Sequence, residues 1–330
     1  MTVLKKKILK LSRPYIIAEI GSNFNQDIEV GYKLIKEAKR CGADAVKFQL
    51  FKAKNLYPKD KKMYKIFKSI ELSREMFKKF IKYSKKLKLD ISASTFDLNS
   101  ARFLNQLNVD FHKVASSELS NIELIDFLSK SKKPIFLSTG MADLEDIRKA
   151  INVCVKNKNF QIVVMQCGSL YPLHLSKCNL NTLNTFKNLS FCKTGFSDHT
   201  LCDIAAITSV GLGAIVFEKH ITLNKKLKGP DHFYAMEPQE FKNYIKNIKS
   251  AFKCLGTSKK DFLKEERLNS RREGLYFKND MKKNQIFTMK NFVKKRPPLG
   301  LTETYLKKIL NRKLKKNVKK NHPIFNNLFY

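Results

Sequence analysis

The 330-residue sequence has no apolar run long enough to span a membrane, and its first residues lack the uninterrupted hydrophobic stretch of a secretory signal. It also has no Cys-x-x-Cys pair among its seven cysteines, which fits neither a disulfide framework nor a zinc ribbon. We therefore expect a soluble, cytoplasmic protein with reduced cysteines and no membrane partner.

Acidic residues are scarce: 29 Asp and Glu stand against 65 Lys and Arg, a formal net charge of +36. A basic surface can bind nucleic acid or attract anionic substrates. The lysines are spread along the whole chain, however, and no basic arm interleaved with aromatic residues occurs. Biased genome composition is the simpler explanation, so we expect no specific nucleic-acid partner. A basic anion- or nucleic-acid-binding protein is the non-enzyme alternative.

The sequence lacks a Gly-x-Gly-x-x-Gly turn after its first apolar segment, at 14–20, which weakens the alternative of an open doubly wound sheet. Eight apolar strands instead alternate with amphipathic helical segments, which predicts a (β/α)8 TIM barrel over residues 1–255. The polar stretch 256–272 is interpreted as a linker. Residues 273–330 are β-like and rich in turns, which predicts a small, mostly β domain that serves as a lid or binding module.

Polar side chains follow the predicted strands where they end. The positions are Ser94-Thr95, Ser116 to Glu118, Ser138-Thr139, Ser169 and Ser197. In a barrel these ends face one mouth, where Lys47 and Lys113 would complete a phosphate or carboxylate site. Helix capping explains any one of the hydroxyls, but it does not explain Lys47, Gln49 and Lys113 at the same end.

Two histidines, His199 and His220, also end neighbouring predicted strands. Parallel neighbours lie about 4.8 Å apart, so the two imidazoles could converge on a divalent metal and leave coordination positions open. Two unrelated structural histidines are the alternative. The polar ends of the other strands favour the metal site.

Ordered motifs along the chain carry a family resemblance. They are AEIGSN (18–23), VKFQ (46–49), KVASSE (113–118), LSTGM (137–141), FSDHT (196–200), EKHIT (218–222), GPDH (229–232) and KRP (295–297). With them the chain resembles the sialic acid (N-acetylneuraminate) synthase family, which includes legionaminic acid synthases. The resemblance covers nearly the whole chain, and its C-terminal module is similar to an antifreeze-like (SAF) domain.

The resemblance implies an activity: condensation of phosphoenolpyruvate with an N-acylated amino sugar to a nine-carbon 2-keto acid, with release of phosphate. It implies a divalent metal ion, with Mn²⁺ favoured over Mg²⁺ or Co²⁺, and a domain-swapped homodimer in which the small domain caps the partner's barrel. Another phosphoenolpyruvate-using aldol-type synthase or a metal-dependent phosphate-ester hydrolase is the enzymatic alternative.

The resemblance also implies roles for matching positions. The metal ligands would be His199 and His220, and the catalytic carboxylates Glu19, beside the metal and its water, and Glu118, toward the sugar. The residues around phosphoenolpyruvate would be Lys47, Thr95, Lys113, Ser116, Ser138 and Ser197. The residues toward the sugar would be Gln49, Tyr171 and Asp231. Arg296 would reach in from the other subunit.

Each of four residues has a plainer interpretation. Glu19 could be a structural carboxylate paired with a barrel lysine, and Asp231 a turn residue after Gly229-Pro230. Tyr171 could pack on the rim, and Arg296 could be a solvated surface charge.

The chain departs from the family pattern at three positions. Phe24 stands where the family commonly has His, Ser169 where some members have Asn, and Pro298 where the family has Gly. These departures leave the sugar open between N-acetylmannosamine and a 2,4-diacetamido-6-deoxy sugar.

Overall fold

The computed structural model describes residues 8–261, 263, 265–266 and 271–330. The chain divides into two units, Met1–Gly256 and Thr257–Tyr330. The stretch interpreted as a linker, 256–272, lies partly outside the described residues.

Eight parallel strands close into a barrel in sequence order, which confirms the predicted (β/α)8 fold. The strands are β1 Tyr15–Gly21, β2 Ala45–Leu50, β3 Asp90–Thr95, β4 His112–Val114, β5 Ile135–Ser138, β6 Ile162–Cys167, β7 Cys192–Asp198 and β8 Ala214–His220. β1 pairs with both β2 and β8, which closes the barrel and brings all the strand ends to a common mouth.

The helices of this unit are α1 Ile28–Cys41, α2 Ala53–Leu56, α3 Lys62–Ser69, α4 Arg74–Lys86, α5 Leu98–Gln106, α6 Ile122–Ser129, α7 Leu144–Lys156, α8 Thr182–Lys187, α9 Ile204–Gly211 and α10 Pro238–Cys254. α1 shows how the sequence determines them. The Asp27 carboxylate caps its first turn, Leu34, Ile35 and Ala38 form its buried stripe, and Gly42 ends it with a positive φ of 96°. Among the described residues, no helix is long and apolar enough to cross a bilayer.

Two elements differ from the sequence-based expectation. The Lys-rich composition of 51–73 predicts a long loop over the strand ends, but the segment contains the short helices α2 and α3. The sequence after FSDH predicts a helix from Thr200, but this helix begins at Ile204. Both backbone polar groups of Thr200 form hydrogen bonds with side chains: its N–H donates to Asp198, and its carbonyl accepts from Lys219. These side-chain contacts replace the hydrogen bonds of a first helical turn.

The hydrophobic core has two layers in the barrel unit. One fills the lower barrel, around Tyr15, Phe111 and Phe136, and the other lies between the strands and the surrounding helices. Phe24 belongs to the outer layer, with its ring centroid 5.7 Å from that of Phe80. This packing accounts for Phe24, because a fully buried ring here stabilises the contact between barrel and helices.

The second unit confirms the predicted small, mostly β domain. β9 Gly274–Phe277 pairs antiparallel with β10 Phe292–Lys295, and four isolated antiparallel bridges extend the pairing. Its own core includes Leu275, Phe277 and Phe287. The sequence also predicts a helix near 303–311 within this domain, but the helix spans only Leu306–Ile309, preceded by a 3₁₀ turn.

Candidate active site at the barrel mouth

A cavity of about 480 Å³ opens at the carboxyl ends of the strands. This volume is in the usual range for small-molecule sites, and the mouth is where barrel enzymes place their active sites. The predicted site residues that line it are Glu19, Lys47, Gln49, Lys113, Ser116, Ser138, Tyr171, Ser197, His199, His220 and Asp231. The structure thus brings together most of the residues selected from the sequence.

Three predicted site residues lie elsewhere. On β3, Ser94 lines the cavity in place of the fully buried Thr95, because successive strand residues point to opposite faces. The Glu118 carboxylate accepts hydrogen bonds from Ser117 Oγ at 3.2 Å and Asn121 Nδ2 at 3.1 Å, within its own turn. Arg296 is an exposed residue of the second unit, directly after β10.

Two carboxylates and two lysines form a buried ionic centre in the floor of the cavity. Lys47 Nζ lies 2.8 Å from Glu19 Oε2 and 3.8 Å from Glu218 Oε1, and Lys113 Nζ lies 3.4 Å from Glu218 Oε1. Lys47 also donates to Ser94 Oγ at 2.9 Å. Glu19 therefore is paired with a barrel lysine, as the plainer interpretation holds, and it faces the cavity as well.

The two carboxylates differ in acidity. Burial is the largest influence on Glu19 and raises its pKa to about 7, against the attraction of Lys47. Burial acts the same way on Glu218, but Lys113 and Lys47 outweigh it and lower the pKa of that carboxyl to about 2. The pKa of Lys113 is itself lowered, chiefly by burial. The site thus has one permanent anion and one carboxyl that exchanges a proton near neutral pH.

Sequence reasoning missed Glu218, although the signal was present. Glu218 and His220 are two residues apart on β8, so they share the inward face. Ser197 on β7 is its register partner and donates to Glu218 Oε1 at 3.2 Å. Strand alternation applied to EKH would have found it. Cys167 and Tyr234, which also line the cavity, carried no such signal.

The rings of His199 and His220 lie side by side, with centroids 5.7 Å apart. His199 Nδ1 donates to the carbonyl of Gly168 at 2.7 Å, which leaves Nε2 as the nitrogen for a metal ion. Burial opposes protonation of this ring, but Cys167 outweighs burial and raises the pKa of His199. His220 Nδ1 is buried without a hydrogen-bond partner among the described residues. Burial, reinforced by His199, holds the pKa of His220 well below its usual value, so this imidazole stays neutral as a metal ligand must.

The donor set fits a loosely held, exchangeable metal ion. Within the described parts of the chain, no group of three or more His, Cys, Asp or Glu side chains is arranged to hold one. Two imidazoles alone would leave the other coordination positions to water or substrate.

Another part of the cavity lining is built around Asp231. Its carboxylate accepts hydrogen bonds from the Tyr234 hydroxyl at 2.6 Å and from the Ser22 hydroxyl at 3.2 Å. Both carboxylate oxygens are therefore oriented by side chains, which a residue that only forms a turn does not need. The Tyr171 ring lies 4.2 Å from that of His199, and the Tyr234 ring 5.0 Å from that of His220. The remaining wall is apolar and consists of Met63, Phe67, Phe96 and Met141.

Hydroxyls gather around Gly140, just after β5. The Gly140 N–H donates to Ser116 Oγ at 3.1 Å, and a Cβ at this position would lie 2.3 Å from Ser169 Oγ. Only glycine allows this approach. Ser138 Oγ and Ser169 Oγ are buried and have no hydrogen-bond partner within the described ranges. Buried hydroxyls left without partners in a cavity indicate a polar ligand.

Comparison with known proteins agrees with this geometry. The model of the NeuB family matches residues 34–260, and that of the SAF domain matches 272–329. An uncharacterised protein of Methanocaldococcus jannaschii is 39% identical over 94% of this chain and 93% of its own length. The N,N'-diacetyllegionaminic acid synthase of Campylobacter jejuni is 35% identical over 95% of this chain and 99% of its own.

A solved structure extends the comparison to three dimensions. The N-acetylneuraminic acid (sialic acid) synthetase of Leptospira borgpetersenii, crystallised with citrate, superposes with a TM-score of 0.75 at 28% identity. The match covers 78% of this chain and 90% of that one. Because the family model spans more than half of the sequence, the chain belongs to the NeuB family and carries a C-terminal SAF domain.

Proposed function

We propose that this protein condenses phosphoenolpyruvate with an N-acylated amino sugar, releasing phosphate and forming a nine-carbon 2-keto sugar acid. The observation that carries the proposal is the pair of buried ammonium groups, Lys47 and Lys113, that face a cavity containing unpaired hydroxyls. A buried ammonium group is stabilised by a nearby anion. Glu19 and Glu218 provide this in the ligand-free protein, and a small trianion such as phosphoenolpyruvate would strengthen it.

The phosphoenolpyruvate would lie over the ionic centre. Lys113 has only Glu218 as its carboxylate partner among the described residues, at 3.4 Å, and burial lowers its pKa. An arriving anion would stabilise its charged form. Ser116, Ser138 and Ser197 surround the same floor and would donate to phosphate or carboxylate oxygens.

The metal ion would be held by His199 and His220, with Mn²⁺ preferred to Mg²⁺ or Co²⁺. When bound, it would supply Lewis-acid polarisation of the sugar aldehyde. The chain's own contribution is to orient His199 through the Gly168 carbonyl and to keep His220 neutral through burial. Because the pKa of His199 is raised, metal binding at this ring would release a proton.

In the reaction, carbon 3 of phosphoenolpyruvate bonds to the aldehyde carbon of the open-chain sugar, and the aldehyde oxygen takes up a proton. Water then adds at carbon 2, and phosphate leaves with cleavage of the carbon–oxygen bond. Glu19 lies beside Lys47 and accepts from Gln49 Nε2 at 3.2 Å, which orients its carboxyl. With a pKa of about 7, it would take the proton of the adding water.

The apolar wall supports a deoxy sugar with two acetamido groups as substrate. Met63, Phe67, Phe96 and Met141 would contact methyl groups better than hydroxyls. The name of the C. jejuni relative agrees with this choice. N-acetylmannosamine is the second candidate. We further propose a domain-swapped homodimer in which Arg296 completes the partner's site.

The test is a product assay with phosphoenolpyruvate carrying ¹⁸O at the bridging position. Protein and Mn²⁺ are incubated with the 2,4-diacetamido-2,4,6-trideoxy sugar, with N-acetylmannosamine, or with no sugar. We expect sugar-dependent release of phosphate that contains the label, loss of turnover in EDTA, and recovery with Mn²⁺.

Variants complete this assay. Lys113→Met should abolish turnover, while Lys130→Met, which removes an exposed lysine paired with Asp126, should not change it. Phosphate release without sugar would instead favour a hydrolase. Full activity after exhaustive chelation would contradict the metal assignment.

A further inference from the structure

A second buried ion pair lies directly behind the two histidines and has no part in the proposed chemistry. Asp198 and Lys219 are register partners on β7 and β8, and their charged atoms are 3.3 Å apart. Because strand residues alternate, this pair faces the helices while His199 and His220 face the cavity. The Tyr244 ring of α10 covers Lys219, with Nζ 5.8 Å from its centroid.

The pair holds the backbone that follows His199. The Thr200 N–H donates to Asp198 Oδ1 at 2.8 Å, and the Thr200 carbonyl accepts from Lys219 Nζ. The His199 carbonyl in turn accepts from the Leu173 N–H at 2.8 Å. His199 therefore lies between two residues that Lys219 contacts, and Lys219 itself directly precedes His220.

Stability alone is a weak reason to place a lysine here. The Lys219 and Asp198 side chains are 1% and 0% exposed, and taking two charges out of water often costs more free energy than their attraction returns. Such pairs are better suited to fixing one geometry than to raising stability. Here the geometry that the pair controls is the register of β7 against β8 and the course of the chain at Thr200.

We propose that Lys219, acting through Asp198 and Thr200, is a positioning residue that sets the separation of His199 and His220 for a divalent cation. The inference rests on the proposed function, because it presumes that the two imidazoles bind a metal ion. It adds a residue that does not face the cavity to those that determine metal affinity.

The test measures Mn²⁺ binding by the full-length protein, without substrates, from the electron paramagnetic resonance signal of free Mn²⁺. The informative variant is Asp198→Asn combined with Lys219→Met, because it removes both buried charges and keeps an acceptor for the Thr200 N–H. We expect its thermal midpoint to stay near that of the wild type, while Mn²⁺ affinity falls at least tenfold. Lys219→Met alone should lose both stability and affinity.

A matched control separates positioning from general destabilisation. Tyr15→Phe removes a buried hydroxyl that donates to Asp90 at 2.9 Å, at the opposite end of the barrel. It should lower the thermal midpoint and leave Mn²⁺ affinity unchanged. If the double variant binds Mn²⁺ as tightly as the wild type, the positioning role is wrong. If the wild type itself binds no Mn²⁺, the metal assignment fails and this inference fails with it.

Discussion

Glu19 and Glu218 show at the scale of single residues how one cavity gives two carboxyls different tasks. Both are buried, and both face Lys47. Glu218 also faces Lys113, and this second cation keeps it ionised with a pKa of about 2. For Glu19, burial outweighs the attraction of the lysines, and its pKa rises to about 7. Environments that drive two carboxyl pKa values apart are typical of acid–base sites.

Glu218 also competes with any anion for the two lysines. Glu218→Gln would leave Lys47 and Lys113 with one carboxylate between them. We expect the ligand-free variant to melt at a lower temperature because of the uncompensated buried charge, and to bind inorganic phosphate about tenfold more tightly. Calorimetric titration with phosphate in metal-free buffer measures this. Glu218→Asp, which keeps the charge, is the control, and unchanged or weaker phosphate binding in the Gln variant would contradict the electrostatic account.

His112, which precedes Lys113 on β4, makes the folding stability of the protein depend on pH. Its Nε2 bonds to Ser131 Oγ at 3.0 Å, and Ser131 donates its own proton to the Leu128 carbonyl, so His112 acts as the donor. Burial lowers its pKa to about 3. As the pH falls, this histidine is protonated in the unfolded chain before it is protonated in the folded chain. The stability that neutral His112 contributes is therefore complete above pH 6.5 and is lost as the pH falls toward 3.

Lowering the pH from 7 to 5 should reduce the unfolding free energy by about 2 kcal/mol through His112. His112→Gln keeps a donor for Ser131 and does not titrate, so its unfolding free energy should fall less over this interval. Urea denaturation at both pH values measures the difference. His174→Gln changes an exposed histidine and should follow the wild type. An equal pH dependence of wild type and His112→Gln would show that His112 is protonated in the folded protein.

At the scale of elements, α3 is a wall of the site that the barrel itself does not provide. Met63 and Phe67 of this helix line the cavity, yet none of its residues is buried. Glu71 secures the segment: its carboxylate pairs with Lys68 at 3.0 Å and accepts from the Ala53 N–H at 2.8 Å. It also pairs with Lys52 at 3.1 Å. Phe67 adds ring contacts with Phe51 and Tyr57, but a helix without a buried residue is easily loosened.

Glu71→Gln should therefore act on the sugar side of the site. Partly exposed ion pairs contribute up to about 1 kcal/mol each, so we expect the amino-sugar KM to rise by a factor of about five, with the phosphoenolpyruvate KM nearly unchanged. Steady-state kinetics with each substrate varied in turn checks this. Glu75→Gln removes a comparable pair with Lys78, at 2.8 Å on α4, and should change neither constant. Equal effects on both KM values would argue against a wall specific to the sugar.

The elements also show where prediction from sequence works and where it stops. β7 and β8 are predictable because long apolar strands end in polar residues, and alternation along them places His220 and Ser197 inward. The sequence predicts Thr95 at the site, but its neighbour Ser94 lines the cavity. The last residue of a strand can keep the alternation of the pleat or leave it, and the sequence does not distinguish the two. α2 has only four residues, too few to show a periodicity. In α3, however, Met63, Ile66 and Phe67 recur at helical spacing, so the pattern of this helix was present in the sequence. The pairing of Glu218 with Lys113 depends on barrel closure, which a linear pattern does not contain.

For the whole molecule, the two units have separate cores. Phe277 and Phe287 belong to the core of the second unit, and the barrel has its own layers. The +36 charge is a property of the whole chain as well, and it would attract an anionic substrate to either unit without defining a site.

Arg296 is the residue through which the small domain would act. It is exposed, it forms no ion pair with any described residue, and Pro297 and Pro298 follow it. The Tyr276 hydroxyl donates to the Pro297 carbonyl, and Lys295 pairs with Gly274 between β10 and β9, so the backbone is held on both sides of the arginine. A guanidinium presented on a fixed loop suits an acyl carbonyl or a carboxylate. Arg296→Ala should thus raise the amino-sugar KM and lower turnover, with little change in phosphoenolpyruvate binding.

A mixing experiment tests whether Arg296 acts across a dimer. Chains carrying Arg296→Ala and chains carrying His199→Ala are each expected to be nearly inactive. If each small domain completes the partner's barrel, a hybrid dimer contains one site with both residues intact. Random re-pairing makes half of the dimers hybrids, so an equal mixture should regain about a quarter of wild-type activity. The control for added protein is Arg296→Ala mixed with the double variant Arg296→Ala/His199→Ala, because no dimer of that mixture contains a site with both residues intact. If subunit exchange is demonstrated by mass and no activity returns, Arg296 serves its own chain or none.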